Sequence, residues 1–330
     1  MRPFSYARPA SLESAIATLA EGGDGTRLLA GGTTLYDLMK LGVERPERVV
    51  DVNGLAELST IDTSGDELVF GALARMSDVS ADPRLTDEFP ALSEALWKAA
   101  SQQLRNMASL GGNLLQRTRC AYFRHGEPFA CNKRSPGSGC SAIEGLNRGH
   151  ALFGGSDACI ATYPGDFAVA LVAFDAQIDV AGPDGERTIP ISELHRQPGD
   201  DPSNDTTLLP EEIIVRIRAP ADSVGRASTY HKIRDRESFA FAVVSAAVAL
   251  RFEGGVVADA RLALGGVSTV PWRARAAEQS LIGKELTPET AHAAGELAFA
   301  DAVTRQHNAF KVELGANVVR DAFLIASRRT

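Results

Sequence analysis

The sequence predicts a mixed α and β protein in two domains. Three observations carry this. The chain has 330 residues, and at roughly 150 residues per domain that suggests two domains. Strand-like and helix-like segments alternate along it. A turn-rich passage, Ala219 to Gly225, separates a longer first part from a shorter second one. Apolar residues make up 44% and charged residues 23%, values of an ordinary globular chain. A chain of this length buries roughly three quarters of its unfolded surface and needs no staple. The net charge of −8 argues against a general nucleic-acid binder, which shows a basic face. The longest apolar run, Phe239 to Leu250, is too short to cross a bilayer. From Met1 to Glu13 there is no long apolar stretch, so no secretion signal is expected.

The elements follow in order. Ser11 reads as an N-cap, and Leu12, Ala15, Ile16 and Leu19 then keep helical spacing until Gly22-Gly23. Arg27 to Ala30 reads as a strand, followed by Gly31-Gly32-Thr33-Thr34, a helical stretch Leu35 to Leu41 closed by Gly42, and a strand Val49 to Val52. This is a strand–glycine turn–helix–strand unit. Leu68 to Phe70 reads as a strand, and Pro90 fits the first turn of a helix carrying Leu92 and Leu96. A second glycine turn falls at Ser109 to Asn113. Phe167 to Phe174 is a buried apolar run. Gln177 to Val180 reads as a strand, and Gly182-Pro-Asp-Gly185 as a hairpin turn. Residues 197–207 are polar and turn-rich, a surface loop, and Glu212 to Arg218 is a strand. The second part reads as strand (Ala227 to Ile233), apolar helix (Phe239 to Leu250), strand (Ala258 to Leu264) and helix from Pro288 onward.

The four cysteines, Cys120, Cys131, Cys140 and Cys159, all fall within 40 residues. Random scatter rarely does that, and a thiol serving only as a small core hydrophobe has no reason to cluster. The spacing C-x10-C-x8-C-x18-C contains no close pair of the kind structural zinc sites use. Two disulfides fit poorly with a large chain lacking a secretion signal. An iron–sulfur cluster on four thiolates is the third reading. Spacing alone does not choose between zinc and iron–sulfur. Arg117, Arg119, Arg124, Lys133 and Arg134 flank the first two cysteines, against one acid, Glu127. That excess is either an ordinary solvated basic loop or a stabiliser of thiolates and a net-negative cluster. Some forty residues without periodicity are uncommon in a compact domain unless they serve a function or are disordered.

The two glycine pairs, Gly31-Gly32 and Gly111-Gly112, sit beside apolar segments. Glycine lets the backbone approach a ligand closely, and free N–H groups in such turns bind phosphate oxygens. Thr33, Thr34 and Asn113 add side-chain donors. Taken singly, such pairs are more often plain turns. The dinucleotide-binding G-x-G-x-x-G and the P-loop pattern are both absent (Gly283-Lys284 is followed by Glu285), so a nucleotide held here needs another fold.

Five segments in this order resemble one family: Leu29-Ala-Gly-Gly-Thr-Thr-Leu35, Arg105-Asn-Met-Ala-Ser-Leu-Gly-Gly-Asn-Leu114, Tyr163-Pro-Gly-Asp166, Tyr230-His-Lys-Ile-Arg-Asp-Arg236 and Leu262-Ala-Leu-Gly-Gly-Val-Ser268. The opening Arg2-Pro-Phe-Ser-Tyr6 is similar as well. The family is the flavin-binding (medium) subunit of the xanthine dehydrogenase and aldehyde oxidoreductase group of molybdenum hydroxylases. The resemblance implies an α+β fold: an FAD-binding domain of the vanillyl-alcohol-oxidase (PCMH) type over 1–222, in lobes 1–55 and 56–222, then a C-terminal α/β domain of the CO dehydrogenase flavoprotein type over 226–330. It implies that Leu29, Ala30, Gly31, Gly32, Thr33, Thr34 and Leu35 wrap the FAD pyrophosphate through backbone N–H groups. Ser109, Gly112 and Asn113 would form a second clamp, Asp166 would bond the sugar or adenine portion, and Lys232 would approach the flavin. Without the resemblance, Lys232 reads as a surface strand lysine and Asp166 as a turn carboxylate. Gly165 stands where the family often has Ser, and Tyr163 where it has His.

In shorter family members the second glycine turn runs almost directly into the Pro-x-Asp segment. Here an insertion at about 117–160 separates them and holds every cysteine. This resembles the subgroup with an extra [4Fe–4S] cluster on the flavin subunit, as in periplasmic aldehyde oxidoreductases and 4-hydroxybenzoyl-CoA reductase, with Cys120, Cys131, Cys140 and Cys159 as ligands. His307-Asn-Ala-Phe-Lys311 looks closest to the aldehyde oxidoreductase type. The implied role is electron transfer. A large partner with a molybdenum cofactor oxidises the substrate, and a small partner with two [2Fe–2S] clusters passes electrons on. FAD here hands them to an external acceptor, with no substrate chemistry on this chain. Two rivals stand beside this: a stand-alone flavin oxidase, for which the scattered histidines offer no pair or triad, and a zinc-bearing scaffold. The compartment is read as cytoplasmic, or periplasmic by co-export with a partner carrying a twin-arginine signal.

Overall fold

The computed structural model describes residues 2–126, 128–222 and 224–329; Glu127 lies outside them. The first of three sheets is small and parallel: β1 (Ser5–Ala7), β2 (Thr26–Leu29) and β3 (Arg48–Asp51), in the order β1-β3-β2. The helix Leu12–Gly22 makes the crossover from β1 to β2. Ser11 caps it, its hydroxyl accepting from the Ser14 N–H at 3.2 Å, as Ser, Thr, Asp and Asn do at helix starts. Its Ala15 and Leu19 are buried against Val50, Val52 and Leu55. The crossover from β2 to β3 is the glycine bend plus the short helix Leu35–Lys40.

The second sheet holds β4 (Ile61–Asp62), β5 (Glu67–Gly71), β6 (Gln177–Gly182), β7 (Gly185–Pro190) and β8 (Ile213–Pro220), all antiparallel, in the order β4-β5-β8-β6-β7. The β6–β7 hairpin turns where expected, with Gly185 at φ +110. Helices Pro90–Trp97 and Phe167–Ala173 pack on this sheet. Every residue of the second is buried, which is why its sequence shows an unbroken apolar run rather than a stripe.

The third sheet, β9 (Ser228–Ile233), β10 (Val244–Glu253), β11 (Val256–Gly265) and β12 (Trp272–Arg273), is antiparallel in the order β12-β11-β10-β9. Helices Arg275–Leu281, Pro288–Ala298 and Phe310–Ala326 complete this part. Among the described residues no helix is long and apolar enough to cross a membrane.

Two expectations fail here. Phe239 to Leu250 is not a helix: its second half is β10, and Phe239 and Phe241 sit exposed in the loop before it. The cause is burial on both faces. Ala247 and Ala249 enter the core of the second sheet, while Ala246, Val248 and Leu250 enter that of the third. Such a strand loses its polar alternation and mimics a buried helix. Ser109 to Asn113 is also not a plain turn. It starts the helix Leu110–Leu114, whose Gly112 N–H donates to Ser109 Oγ at 3.3 Å.

Candidate functional site

The first bend leaves β2 at Leu29. Gly32 adopts φ +71, and the N–H groups of Tyr36 and Leu38 bond back to Gly32 and Thr34 carbonyls at 3.0 Å. Among the described residues, the N–H groups of Gly31, Gly32, Thr33, Thr34 and Leu35 have no protein acceptor. Successive free amides of this kind form a concave donor surface for an anion. Gly31 has a separate reason to be glycine: an added Cβ would overlap the Met107 carbonyl.

That close approach joins the two bends. Arg75 reaches across them, donating to the Met107 carbonyl and, at 3.2 Å, to Asn53 Oδ1. Asn53 Nδ2 donates to the Ala30 carbonyl at 2.9 Å. On the second bend Ser109 is buried, and its Oγ is occupied as the helix cap. Asn113 differs: its Oδ1 is buried with no partner. A buried amide oxygen left unpaired is costly, so a ligand donor here would relieve it. At Gly112 an added Cβ would press on Ser109 Oγ, 3.0 Å away, the oxygen that caps the helix. These residues therefore fit a bound nucleotide cofactor.

Asp166 and Lys232 come together, at 2.7 Å between carboxylate and ammonium, both side chains almost wholly buried. The other Asp166 oxygen accepts from Tyr230 Oη at 2.5 Å, and Tyr230 Oη in turn accepts from the Ser245 hydroxyl at 2.9 Å. Lys232 gives a further hydrogen bond to the Lys98 carbonyl at 3.2 Å. Lys232 is thus no surface lysine. A buried ion pair with its remaining valences satisfied is a rigid post. Asp166 lines the wall of a cleft of about 410 Å³ between the cysteine segment and the third sheet, together with Tyr163, Ser245 and Phe241. The Gly165 and Tyr163 departures explain each other: a Cβ on Gly165 would run into the Tyr163 ring.

Within the insert the only helix among the described residues is the single turn Ala121–Arg124; Cys131 and Cys140 form an isolated antiparallel bridge. All four cysteines are free thiols, and all four line one small cavity with Tyr122, Phe123 and Lys133 among its walls. Among the described residues no three His, Cys, Asp or Glu side chains converge tightly enough for one metal ion. A cubane spreads its four thiolates over four irons, wider than ligands crowd around a single ion. The four thiols around one cavity are therefore a candidate donor set. Burial pushes the Cys120 thiol up to about 12, so only a strongly bound cation would hold it as thiolate.

The flanking basic residues do something other than expected. Arg117 pairs with Glu44 at 2.7 Å and Asp205 at 2.8 Å, and Arg119 and Arg124 pair with Asp37 at 3.2 and 2.6 Å. Arg134 donates to the carbonyls of Tyr122, Phe123 and Phe129. Of the five, only Lys133 lines the cysteine cavity. Arg117, Arg119 and Arg124 tie the insert to the body through acids distant in sequence, while Arg134 braces the insert from within. Residues the sequence did not offer are Arg75, Asn53, Tyr230 and His150. Their signal is purely spatial, since each acts on a partner more than twenty residues away.

Paired main-chain bends, with a free amide row on the first and an unpartnered buried amide oxygen on the second, define a nucleotide-cofactor-binding protein. Residues 2–222 match the family described as "FAD binding domain in molybdopterin dehydrogenase", and residues 228–326 match "CO dehydrogenase flavoprotein C-terminal domain". The chain belongs to this family, the FAD-binding (medium) subunits of molybdenum hydroxylases, and is thus a subunit of an oxidoreductase that binds FAD. It is 43% identical over 317 residues, 95% of each chain, to the aldehyde oxidoreductase FAD-binding subunit PaoB of Escherichia coli. It is 29% identical to the carbon monoxide dehydrogenase medium chain of Hydrogenophaga pseudoflava, over 90% of this chain and 86% of that one. The solved structure of carbon monoxide dehydrogenase from Hydrogenophaga pseudoflava superposes with a TM-score of 0.77 at 28% identity, covering 100% and 99% of the two chains. Quinoline 2-oxidoreductase from Pseudomonas putida 86 gives 0.76 at 25%, covering 99% and 98%.

Proposed function

We propose that this chain is the FAD- and [4Fe–4S]-bearing electron-transfer subunit of a three-subunit, molybdenum-dependent aldehyde oxidoreductase. The single observation that carries the cluster is the convergence of Cys120, Cys131, Cys140 and Cys159 on one cavity. The similarity to PaoB, named as an aldehyde oxidoreductase subunit, supports the reaction class. The FAD-binding part would span 1–222 and the C-terminal part 226–330.

Bound FAD supplies the ability to take electrons singly and release them in pairs; the residues supply place and field. The amides of Gly31 to Leu35 would hold the diphosphate, with the Thr33 and Thr34 hydroxyls at its side. Asn113 Oδ1 would accept from the cofactor. Tyr230 and Lys232 hold the Asp166 carboxylate in one orientation at the cleft wall. Substrate oxidation would occur on a large molybdenum-bearing partner, and a small partner with two [2Fe–2S] clusters would feed this chain.

Absorption spectra and iron analysis of the purified chain test the reading. A flavin band with a broad iron–sulfur shoulder, and iron lost on changing any one of the four cysteines to Ser, are expected. Flavin without iron would favour a plain flavin subunit or oxidase, and a colourless zinc protein would sink the proposal.

A further inference from the structure

We infer that His150 is a positioning residue for the cysteine site: its imidazole holds the Cys120 sulfur by a hydrogen bond and raises the midpoint potential of the cluster bound there. This rests on the cluster reading above and adds a residue to it. Cys120 is the one cysteine that lines both the cysteine cavity and the large cleft. His150 Nε2 lies 3.3 Å from its Sγ. Among the described residues no other side chain bonds any of the four sulfurs; Cys159 Sγ accepts only a backbone N–H, from Ala161 at 3.5 Å.

The tautomer follows from the surroundings. His150 Nδ1 is buried with no partner. Nε2 makes the contact with Sγ, so the proton that joins ring and thiolate belongs on Nε2, aimed at sulfur. A thiolate accepts and never donates, which demands the same choice. An N–H aimed at a ligand sulfur stabilises the extra negative charge of the reduced cluster and so raises its potential.

The ring is held from the far end of the chain. The His150 carbonyl accepts from Lys311 Nζ at 3.3 Å and Asn308 Nδ2 at 3.4 Å, and the His150 N–H donates to the Asn147 carbonyl at 2.9 Å. Asn147 Oδ1 in turn accepts from the His307 N–H at 3.0 Å. Lys311, 1% exposed, is anchored on the Gly266 carbonyl at 2.8 Å. The segment His307-Asn-Ala-Phe-Lys311 thus clamps the loop that presents His150 to Cys120.

The test is a potentiometric titration of the intact enzyme complex, followed by the electron paramagnetic resonance signal of the reduced cluster. His150→Phe keeps a ring and removes the donor, and its midpoint shifts to lower potential. His150→Gln restores a side-chain N–H and recovers part of the shift. A His150→Phe complex with full iron that titrates at the unaltered midpoint overturns the inference. Should His150→Phe lose its iron, pulsed resonance on unaltered complex labelled with 15N-histidine decides. A histidine nitrogen coupled to the reduced cluster is expected, and its absence overturns the inference. Iron missing from the unaltered complex is a separate failure, that of the cluster reading itself.

Discussion

The bend at Leu29–Leu35 and the cysteine insert at 117–160 solve the same problem by opposite means. The bend offers main-chain amides, and its side chains matter chiefly by being small. The insert offers side chains on a backbone with almost no regular structure, and ion pairs from Glu44, Asp37 and Asp205 hold that backbone in place. The bend is therefore broken by adding atoms, the insert by removing them. The bend is held by parallel pairing of β2 with β3 and by the Arg75 and Asn53 bonds that join it to the second bend. In the insert rigidity is borrowed from the body.

The buried Asp166–Lys232 post belongs to neither region, and removing it should have the largest effect. Lys232→Met leaves the Asp166 carboxylate buried and uncompensated, a loss of ~3–5 kcal/mol, measured by denaturant unfolding. Loss of stability with iron retained would mark the post as part of the body rather than of the insert.

Acidification comes next. Burial holds the His195 ring neutral, lowering it from 6.5 to about 4, with Nε2 at 2.9 Å from the Leu114 carbonyl. Between those values the folded chain binds fewer protons than the unfolded one, so stability is lost as pH falls from 6.5 toward 4. The loss is on the order of 3 kcal/mol. In His195→Gln the slope of stability against pH over this window should flatten.

Gly31→Ala sharpens the comparison most cleanly. The new methyl meets the Met107 carbonyl, costing ~1–3 kcal/mol and, with the amide row displaced, most of the extractable FAD. Iron should stay at its unaltered level; iron lost in step with flavin would show that the two regions are one unit. Thr33→Ala should do least. It removes one hydroxyl and leaves the amides, weakening FAD retention by ~1 kcal/mol or less, read by equilibrium dialysis.

Local chemistry made much of this legible. Ser11, Pro90 and Gly185 mark element boundaries through capping, fixed φ and positive φ, and each lies where those rules put it. The glycine bends and the cysteine window are legible because unusual residue types cluster there. β10 is not, because burial on both faces erases its period. The partners of Asp166, Cys120 and Arg117 are not either. Each lies far along the chain, and a pairing made by the fold leaves no spacing to read.

The amide row at Gly31 to Leu35 carries the cofactor-binding claim. A crystal structure of the chain purified with its flavin tests it directly. The FAD diphosphate oxygens are expected within hydrogen-bond distance of those N–H groups. A diphosphate held elsewhere, with the row facing solvent, would contradict it.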